Sequence, residues 1–255
     1  MTHKLLRLVS FAICLLMLLL IMSGCVSNQK ESGFQYTKEE MQILKEQYTS
    51  EQIKTLEKLE AHLYNKYGKL NYNRVFFENS HFMQQYDLLT LSIDIDGDGS
   101  SEEFTVKGRN TDSGYEITDT FFGLTIKSKY QKAVEDCASK YFDDFFVDAE
   151  PEAIRYPNKL TGASTYEDLI NMKDEIDDVV PVIVIVKNNY PDVRDFEEDG
   201  QNFCIDWGAQ SPPTMLRVIL VDPNVYDSID KTNYMDAGVL VTNKVDEVRI
   251  NTSDK

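Results

Sequence analysis

The stretch 94–102 has the spacing of a cation-binding loop. Carboxylates occupy loop positions 1, 3, 5 and 9, as Asp94, Asp96, Asp98 and Glu102, and Gly99 occupies position 6. Alternate carboxylates on a tightly curled loop converge on one point, and glycine permits the sharp turn that this requires. Calcium takes about six to eight hard oxygen ligands, whereas magnesium usually keeps several waters. The spacing therefore favours calcium.

This loop resembles the calcium loops of EF-hand, dockerin and integrin-like repeat proteins. It departs from the EF-hand form at position 12, where Thr105 replaces the bidentate glutamate, and its flanks are strand-like. The match is therefore to the β-hairpin variety, which the residue at position 9 closes. Glu103 is the substitute for that residue if the register is shifted by one. The resemblance implies a ligand set made of the side chains of Asp94, Asp96 and Asp98, the carbonyl of Ser100 and the carboxylate of Glu102.

An ordinary turn is the alternative for the same residues. Asp-Gly is a strong turn signal, so a hairpin with solvated acids would produce a similar sequence. Four spaced carboxylates without nearby bases repel one another unless a cation lies between them, which favours the ion. A bound calcium would tie two strands together, so we expect a structural rather than a catalytic role.

Other residue patterns assign no catalytic residue. His62 and His81 stand neither in an HExxH motif nor beside a cysteine pair. The chain has no G-x-S-x-G elbow, no P-loop and no G-x-G-x-x-G motif. A hydrolase that uses two carboxylates stays open, because its acids need only be roughly 5 to 9.5 Å apart in space.

Cys137 and Cys204 are the cysteines that follow residue 25. Outside the cytoplasm a disulfide between them is permitted, and it would contribute about 4 kcal/mol on the chain-entropy model. Cys137 lies on the apolar face of a predicted helix and Cys204 in a predicted strand. Two buried free thiols therefore fit equally well, and both alternatives stay open.

The acidic loop lies within a segment that predicts an antiparallel meander. The pattern favours strands in runs rich in aromatic and β-branched residues, at 74–77, 87–94, 103–107 and 115–126. The spacing Ser128-x-x-Gln131 then predicts a helix. Residues 145–147 are expected to return to the sheet as a strand.

A long helical stretch precedes this meander. Thr37 and Glu40 match a capping box, and Gly68 is a plausible C′ residue. The apolar phase slips near Thr49 and Ser50, which predicts a kinked helix or two helices.

The second half predicts further helices and strands. Thr165 caps a helix that runs to about 176, and Pro181 must lie at a strand start, a bulge or an edge. The remaining expectations are neighbouring central strands at 179–187 and 215–221, a short helix at 192–199, a short strand at 203–206 and a hairpin of 239–242 with 247–250.

Together these elements predict an α+β fold. An N-terminal helix is followed by a mainly antiparallel sheet with packed helices, in two small lobes at 37–150 and 151–255. Pro151, Pro157 and Gly162 interrupt the pattern at the boundary. A single mixed sheet is the alternative.

Residues 1–24 have the features of a signal peptide. Lys4 and Arg7 precede an uncharged run of 15 residues at 8–22. That length fits an h-region and falls short of the roughly 20 residues of a membrane-spanning helix, which is the runner-up. Met22-Ser23-Gly24-Cys25 resembles the lipobox of bacterial lipoproteins. The resemblance implies diacylglycerol on Cys25, an anchor on the extracytoplasmic face of a cell membrane, and a tether at 25–36.

Composition sets the outer bounds on function. The chain carries 43 acidic and 26 basic residues, for a formal charge of -17, which excludes a nucleic-acid binder. Its 42% hydrophobic and 11% aromatic residues exclude a disordered chain. We expect an envelope lipoprotein that binds or scaffolds an unknown envelope protein or cell-wall ligand, and an enzyme is the less favoured interpretation.

Two alternatives are an envelope hydrolase with paired carboxylates and the solute receptor of a transporter. The receptor requires two doubly wound lobes, which the irregular strand order does not favour. A binding module should display an exposed apolar patch. A hydrolase should display a cleft with two facing carboxylates, at least one with a perturbed pKa.

Overall fold

The structure, a computed structural model, describes residues 34–229 and 244–251. Its helices are α1 (Lys38–Gln47), α2 (Ser50–Tyr67), α3 (Phe121–Ala138), α4 (Tyr166–Asn171), α5 (Val193–Gln210) and α6 (Pro223–Tyr226). Its strands are β1 (Asn73–Glu78), β2 (Asp87–Ile93), β3 (Glu102–Thr111), β4 (Gly114–Asp119), β5 (Phe145–Ala149), β6 (Val180–Lys187), β7 (Thr214–Val221) and β8 (Lys244–Asn251). Within the described residues they form two sheets, ordered β1-β2-β3-β4 and β5-β6-β7-β8. This is the predicted α+β fold.

The N-terminal stretch forms two helices, one of the two predicted outcomes. Thr49 is extended, with φ -68° and ψ 161°, so it interrupts the helix and caps the next one. Thr37 and Thr49 each form a complete capping box, with Glu40 and Gln52 respectively. Gly68 ends α2 at φ 78°, where a side chain would be strained. Local capping chemistry therefore fixes both helix starts.

The first sheet is an antiparallel meander with one buried face. Leu89 pairs with Val106 and Leu91 pairs with Phe104, and all four side chains are buried. Residues at alternate positions on these strands face outward, which explains the period of two in the sequence. Helices α1 and α2 cover the buried face with Leu44, Ile53, Leu56, Leu59 and Leu63.

The second sheet has a parallel pair at its centre. Strands β6 and β7 run parallel and are connected through α5, whereas β5 and β8 pair antiparallel to them. Strands β6 and β7 are mostly apolar, with Arg217 as the charged residue inside β7, as expected of strands that are covered on both faces. Pro181 is the second residue of β6, at the strand start that its missing N–H favours.

Helix α3 connects the two hydrophobic clusters. Phe121 and Leu124 pack with the first sheet, and Phe122 and Ile126 pack with the second. The chain therefore leaves the first sheet at Asp119, and β5 belongs to the second sheet. The lobe predicted at 37–150 therefore includes a strand that pairs in the second sheet.

No helix among the described residues is long and apolar enough to cross a membrane.

Two local predictions were wrong because a buried helix can resemble a strand. Strand β4 ends at Asp119, and the rest of the segment predicted as strand at 115–126 starts α3. Ser128 lies within α3 rather than at its start. Within the run 121–126 only Thr125 is exposed, because the run contacts both clusters, so it shows no clear helical period.

A third correction concerns α5. This single helix replaces the short helix predicted at 192–199 and the strand predicted at 203–206. Its buried side chains include Phe196, Phe203 and Trp207, which share one face at helical spacing. The stretch 247–250 belongs to β8, which pairs with β7. Residues 239–242 lie outside the described residues.

Candidate functional site

The predicted calcium loop connects β2 to β3 and curls around Asp94. The Asp94 carboxylate accepts hydrogen bonds from the N–H groups of Gly97 and Gly99, at 2.6 and 3.0 Å. The Asp98 carboxylate accepts one from the N–H of Ser100 at 2.7 Å. Both glycines have positive φ, 72° and 91°, as the tight curl requires. The flanks are strands, as the hairpin form of the loop requires.

Glu102, the last of the predicted ligands, pairs with a residue of α3. Its carboxylate accepts from Lys127 Nζ at 2.9 Å, and Lys127 also pairs with Glu152. Asp94, Asp96, Asp98 and Ser100 are exposed. Among the described residues, no group of three or more Asp, Glu, His or Cys side chains is arranged to hold a metal ion. The exposed oxygens suit calcium chemically, and calcium binding stays a prediction.

Cys137 and Cys204 are free thiols in this structure, one of the two alternatives left open. Both are buried, and Cys204 lies in α5 rather than in a strand. Burial raises the pKa of both thiols, that of Cys204 to about 12. Thiols that stay protonated are poor nucleophiles, so this pair has no catalytic character.

The carboxyl group that best fits the hydrolase alternative is Glu150. Burial raises its pKa, and the neighbouring charges of Asp148 and Glu152 raise it further. Glu150 is not among the residues that line four of the cavities formed by the described residues. Its raised pKa by itself does not assign a hydrolase site.

The most exposed apolar side chains form a tight turn between β1 and β2. Phe82 is 100% exposed and Met83 is 88% exposed. The flanking residues close the turn, because His81 N donates to Gln84 O at 2.7 Å and Gln84 N donates to His81 O at 3.0 Å. Met83 N also donates to Nδ1 of His81 at 3.3 Å. Phe82 and Met83 therefore occupy the two central positions of a hydrogen-bonded turn. We call this feature the Phe82–Met83 turn.

A buried carboxylate holds the base of this turn. Asp87, the first residue of β2, is buried and accepts from Asn79 Nδ2 at 3.1 Å and from Ser80 N at 2.7 Å. The Tyr115 hydroxyl donates to Asp87 at 2.5 Å. That hydroxyl lies over Gly108, where a Cβ atom would come within 2.1 Å of it. Protein donors alone therefore hold the loop 79–86 against the sheet.

The strand that leads into the turn is also apolar on its exposed side. Strand β1 is at the edge of its sheet, and Val75 and Phe76 are exposed. The register shifts between Arg74 and Phe76, so Val75 is a bulge residue. A bulge twists an edge strand and reduces its tendency to pair with other strands. The side chains, rather than the free strand edge, are therefore the features available for contact.

Asp119 is a second buried carboxylate held by protein donors. It accepts from His62 Nε2 and Lys66 Nζ, both at 2.8 Å, and from the Tyr67 hydroxyl at 2.7 Å. Burial by itself would raise the pKa of Asp119, but these three hydrogen bonds outweigh it and hold that pKa below the usual value. The cluster joins α2 to the end of β4, which gives His62 a structural role.

No sequence motif marks Phe82 or Met83 as functional residues. The available signal is two large apolar residues within the polar stretch 79–85.

Comparison of the chain with protein-family models, with curated proteins and with solved structures found no match.

Proposed function

We propose that this chain is a lipid-anchored envelope protein that binds a partner protein through the Phe82–Met83 turn. The observation that carries the proposal is the high exposure of these two side chains, 100% and 88%, on a turn whose base is held by Asp87. An exposed apolar patch is the feature that we expected of a binding module rather than of a hydrolase.

The energetics favour contact with a partner surface. Phenylalanine and methionine are enriched in the buried centres of protein interfaces, where a few such side chains supply most of the binding free energy. A side chain held on a rigid turn loses less conformational freedom on binding than one on a mobile loop. The hydrogen bonds between His81 and Gln84 supply that rigidity. The partner should offer an apolar recess for a phenyl ring and a thioether chain.

The position of the turn favours a protein over the membrane as its target. The tether proposed at 25–36 joins the described structure at Phe34, and Tyr36 packs beside Arg74 at the start of β1. The Phe82–Met83 turn follows the other end of β1. Six residues of strand span about 20 Å, so the turn lies at the far end of β1 from the tether.

Calcium is the second part of the proposal. The loop 94–101 leaves the end of β2 opposite to the turn, and its three aspartates are exposed. A bound ion would brace the β2–β3 hairpin without touching the partner surface. Its role would therefore be structural.

Co-isolation from membranes tests the partner claim. The full chain is expressed in its native type of host, crosslinked, solubilised and purified beside a variant with both Phe82→Ser and Met83→Ser. We expect a partner that is retained by the wild type and lost from the variant. The Ile205→Ser variant is the matched control, because Ile205 is also exposed, at 63%, but lies on α5. Equal recovery with all three proteins would contradict the proposal.

Cell fractionation tests the anchor separately. We expect the wild type in the membrane fraction and Cys25→Ala as an uncleaved or released form, because lipidation requires the cysteine thiol. Unchanged fractionation and unchanged mass in Cys25→Ala would refute the lipid anchor and leave the partner claim standing.

A further inference from the structure

A cleft separate from both loops lies where the N-terminal segment meets α2. Its volume is about 530 Å³. One wall is the segment 34–37, the base is the C-terminal half of α2, and the other wall is the segment 68–74. A cavity of this size falls within the range of small-molecule sites.

The floor of the cleft is a rigid polar layer. The Glu60 carboxylate is fully buried and pairs through both oxygens with Nε and Nη2 of Arg74, whose side chain is 29% exposed. The rings of Tyr36 and Tyr72 complete this layer. Burial raises the pKa of both tyrosines, and the Glu60 charge raises it further, so their hydroxyls stay protonated.

The Tyr36 hydroxyl belongs to this buried layer. Its oxygen is buried, and this burial and the Glu60 carboxylate beside it raise its pKa. This hydroxyl is therefore part of the floor and not a free position for a ligand.

Among the described residues, the charges that line the cleft cancel. Glu60 is balanced by Arg74, and Glu40 is balanced by Lys69. An anion or a cation would therefore find no excess of opposite charge, and an anion would also meet the overall charge of -17. The ligand should be uncharged.

The remaining lining consists of aromatic rings and amides. Phe34 and Tyr64 contact each other with ring centroids 6.0 Å apart, and Tyr64 is exposed on α2. Three amide side chains, Gln35, Asn71 and Asn73, are exposed around the rim. Leu70 is the one aliphatic residue of the lining, so apolar peptide side chains would find little to fill.

We propose that this cleft binds a neutral saccharide. A pyranose ring presents C–H bonds on its faces, which pack on aromatic rings, and hydroxyls at its rim, which pair with amides and protonated tyrosines. The cleft combines these groups and lacks net charge. This assignment depends neither on the lipid anchor nor on the Phe82–Met83 turn.

Titration calorimetry on the full chain tests the assignment. The protein is held in a detergent without a sugar headgroup, so that the detergent does not compete. The probes are the trimer of N-acetylglucosamine, cellotriose and, as a charged control, trigalacturonate. We expect heat with at least one neutral trisaccharide and none with trigalacturonate. Sedimentation with insoluble cell-wall glycan then distinguishes a polymeric source from a free sugar.

Variants place the binding in the cleft. Tyr64→Ala should weaken binding by about tenfold or more, the loss that follows removal of a well-packed aromatic contact. Tyr64→Phe should restore it, because the ring is kept, and Asn71→Ala should weaken it. Ile205→Ala is the matched control, because it removes an exposed apolar side chain of α5 outside the cleft and should leave saccharide binding unchanged.

Three results would overturn the assignment. The first is an absence of heat with both neutral trisaccharides at millimolar concentration. The second is an affinity of Tyr64→Ala equal to that of the wild type, and the third is binding of a neutral tripeptide in place of the saccharides. None of them bears on partner capture by the Phe82–Met83 turn, so failure of one proposal is distinguishable from failure of the other.

Discussion

The loops 79–86 and 94–101 leave opposite ends of the same strand, β2, and use their carboxylates differently. Asp87, which follows the first loop as the first residue of β2, is buried and saturated by a side-chain amide, a backbone N–H and a tyrosine hydroxyl. In the second, Asp94 and Asp98 are exposed and accept only from N–H groups of their own loop. Seven residues of strand separate the two loops by about 23 Å.

The two loops illustrate two ways of stabilising a hairpin loop. Donors from the protein body can fix a loop permanently, which suits the rigid display of Phe82 and Met83. A loop whose acids are exposed and close in sequence is stabilised further only by a cation. The loop with a recognisable motif is therefore the one that we expect to be braced by an ion, whereas the loop without a motif carries the proposed contact.

The largest expected effect concerns a carboxylate that protein donors saturate. Asp119→Ala should lower the free energy of unfolding by about 4 kcal/mol, because it leaves the buried Lys66 ammonium without its partner. Chemical denaturation measures this loss. Asp98→Ala, which removes an exposed acid, is the matched control and should cost less than about 1 kcal/mol. Equal losses in the two variants would break the distinction between buried and exposed carboxylates.

The same cluster predicts a pH dependence. The pKa of Asp119 is lowered in the folded protein, because hydrogen bonds from His62, Lys66 and Tyr67 outweigh the effect of burial. Its stabilisation is therefore complete above the unfolded pKa of about 3.9 and is lost as the pH falls through the lower folded value. Denaturation at a series of pH values should show a shallower acid limb in Asp119→Asn than in the wild type.

Asp87→Ala should come next, at about 3 kcal/mol. The variant strands the Ser80 N–H and the Tyr115 hydroxyl, which the sheet and the loop partly bury. Urea denaturation measures the loss, and Glu116→Ala, an exposed acid paired with Arg109 on the same sheet, should cost no more than about 1 kcal/mol. If Asp87→Ala is as mild as Glu116→Ala, the turn is not held from below.

Calcium should stabilise the wild type by about 2.7 kcal/mol when the free ion is at 100 times its dissociation constant. Titration calorimetry gives that constant, and thermal unfolding with and without the ion gives the stabilisation. Asp96→Ala should abolish both effects. Asp112→Ala, an exposed acid in the β3–β4 turn, should preserve them. No heat at millimolar calcium would leave the loop 94–101 an ordinary turn.

The smallest effect on stability is expected for the Phe82–Met83 turn. Phe82→Ser with Met83→Ser should change the free energy of unfolding by less than about 0.5 kcal/mol, because neither side chain packs against the protein. Urea denaturation checks this, and a loss above about 2 kcal/mol would mean that the side chains serve the fold rather than a partner.

The sequence predicted elements whose signals are local. A capping box located the start of α1 at Thr37, and a slip in the apolar phase located the break near Thr49. Runs rich in aromatic and β-branched residues located β2 and β3. The continuous apolar runs predicted β6 and β7 as central neighbours, although not their parallel direction. Short-range patterns therefore gave the α+β class without the arrangement of the strands.

Features that depend on distant residues were missed. The start of α3 was hidden because Phe121 and Phe122 face different clusters, which removes the helical period. The pairing of Glu102 with Lys127 joins residues 25 apart, which local spacing does not indicate. The exposure of Phe82 could not be predicted either, since two apolar residues in a polar stretch are equally consistent with burial.

Site-specific photocrosslinking in intact cells tests whether the Phe82–Met83 turn contacts a partner protein. A photoreactive phenylalanine analogue is placed at position 82 and, in a separate chain, at position 205, which is also exposed but lies on α5. We expect a discrete protein adduct from position 82, unchanged by a calcium chelator, and none from position 205. Crosslinks only to lipid, or equal yields at both positions, would contradict partner binding through the Phe82–Met83 turn.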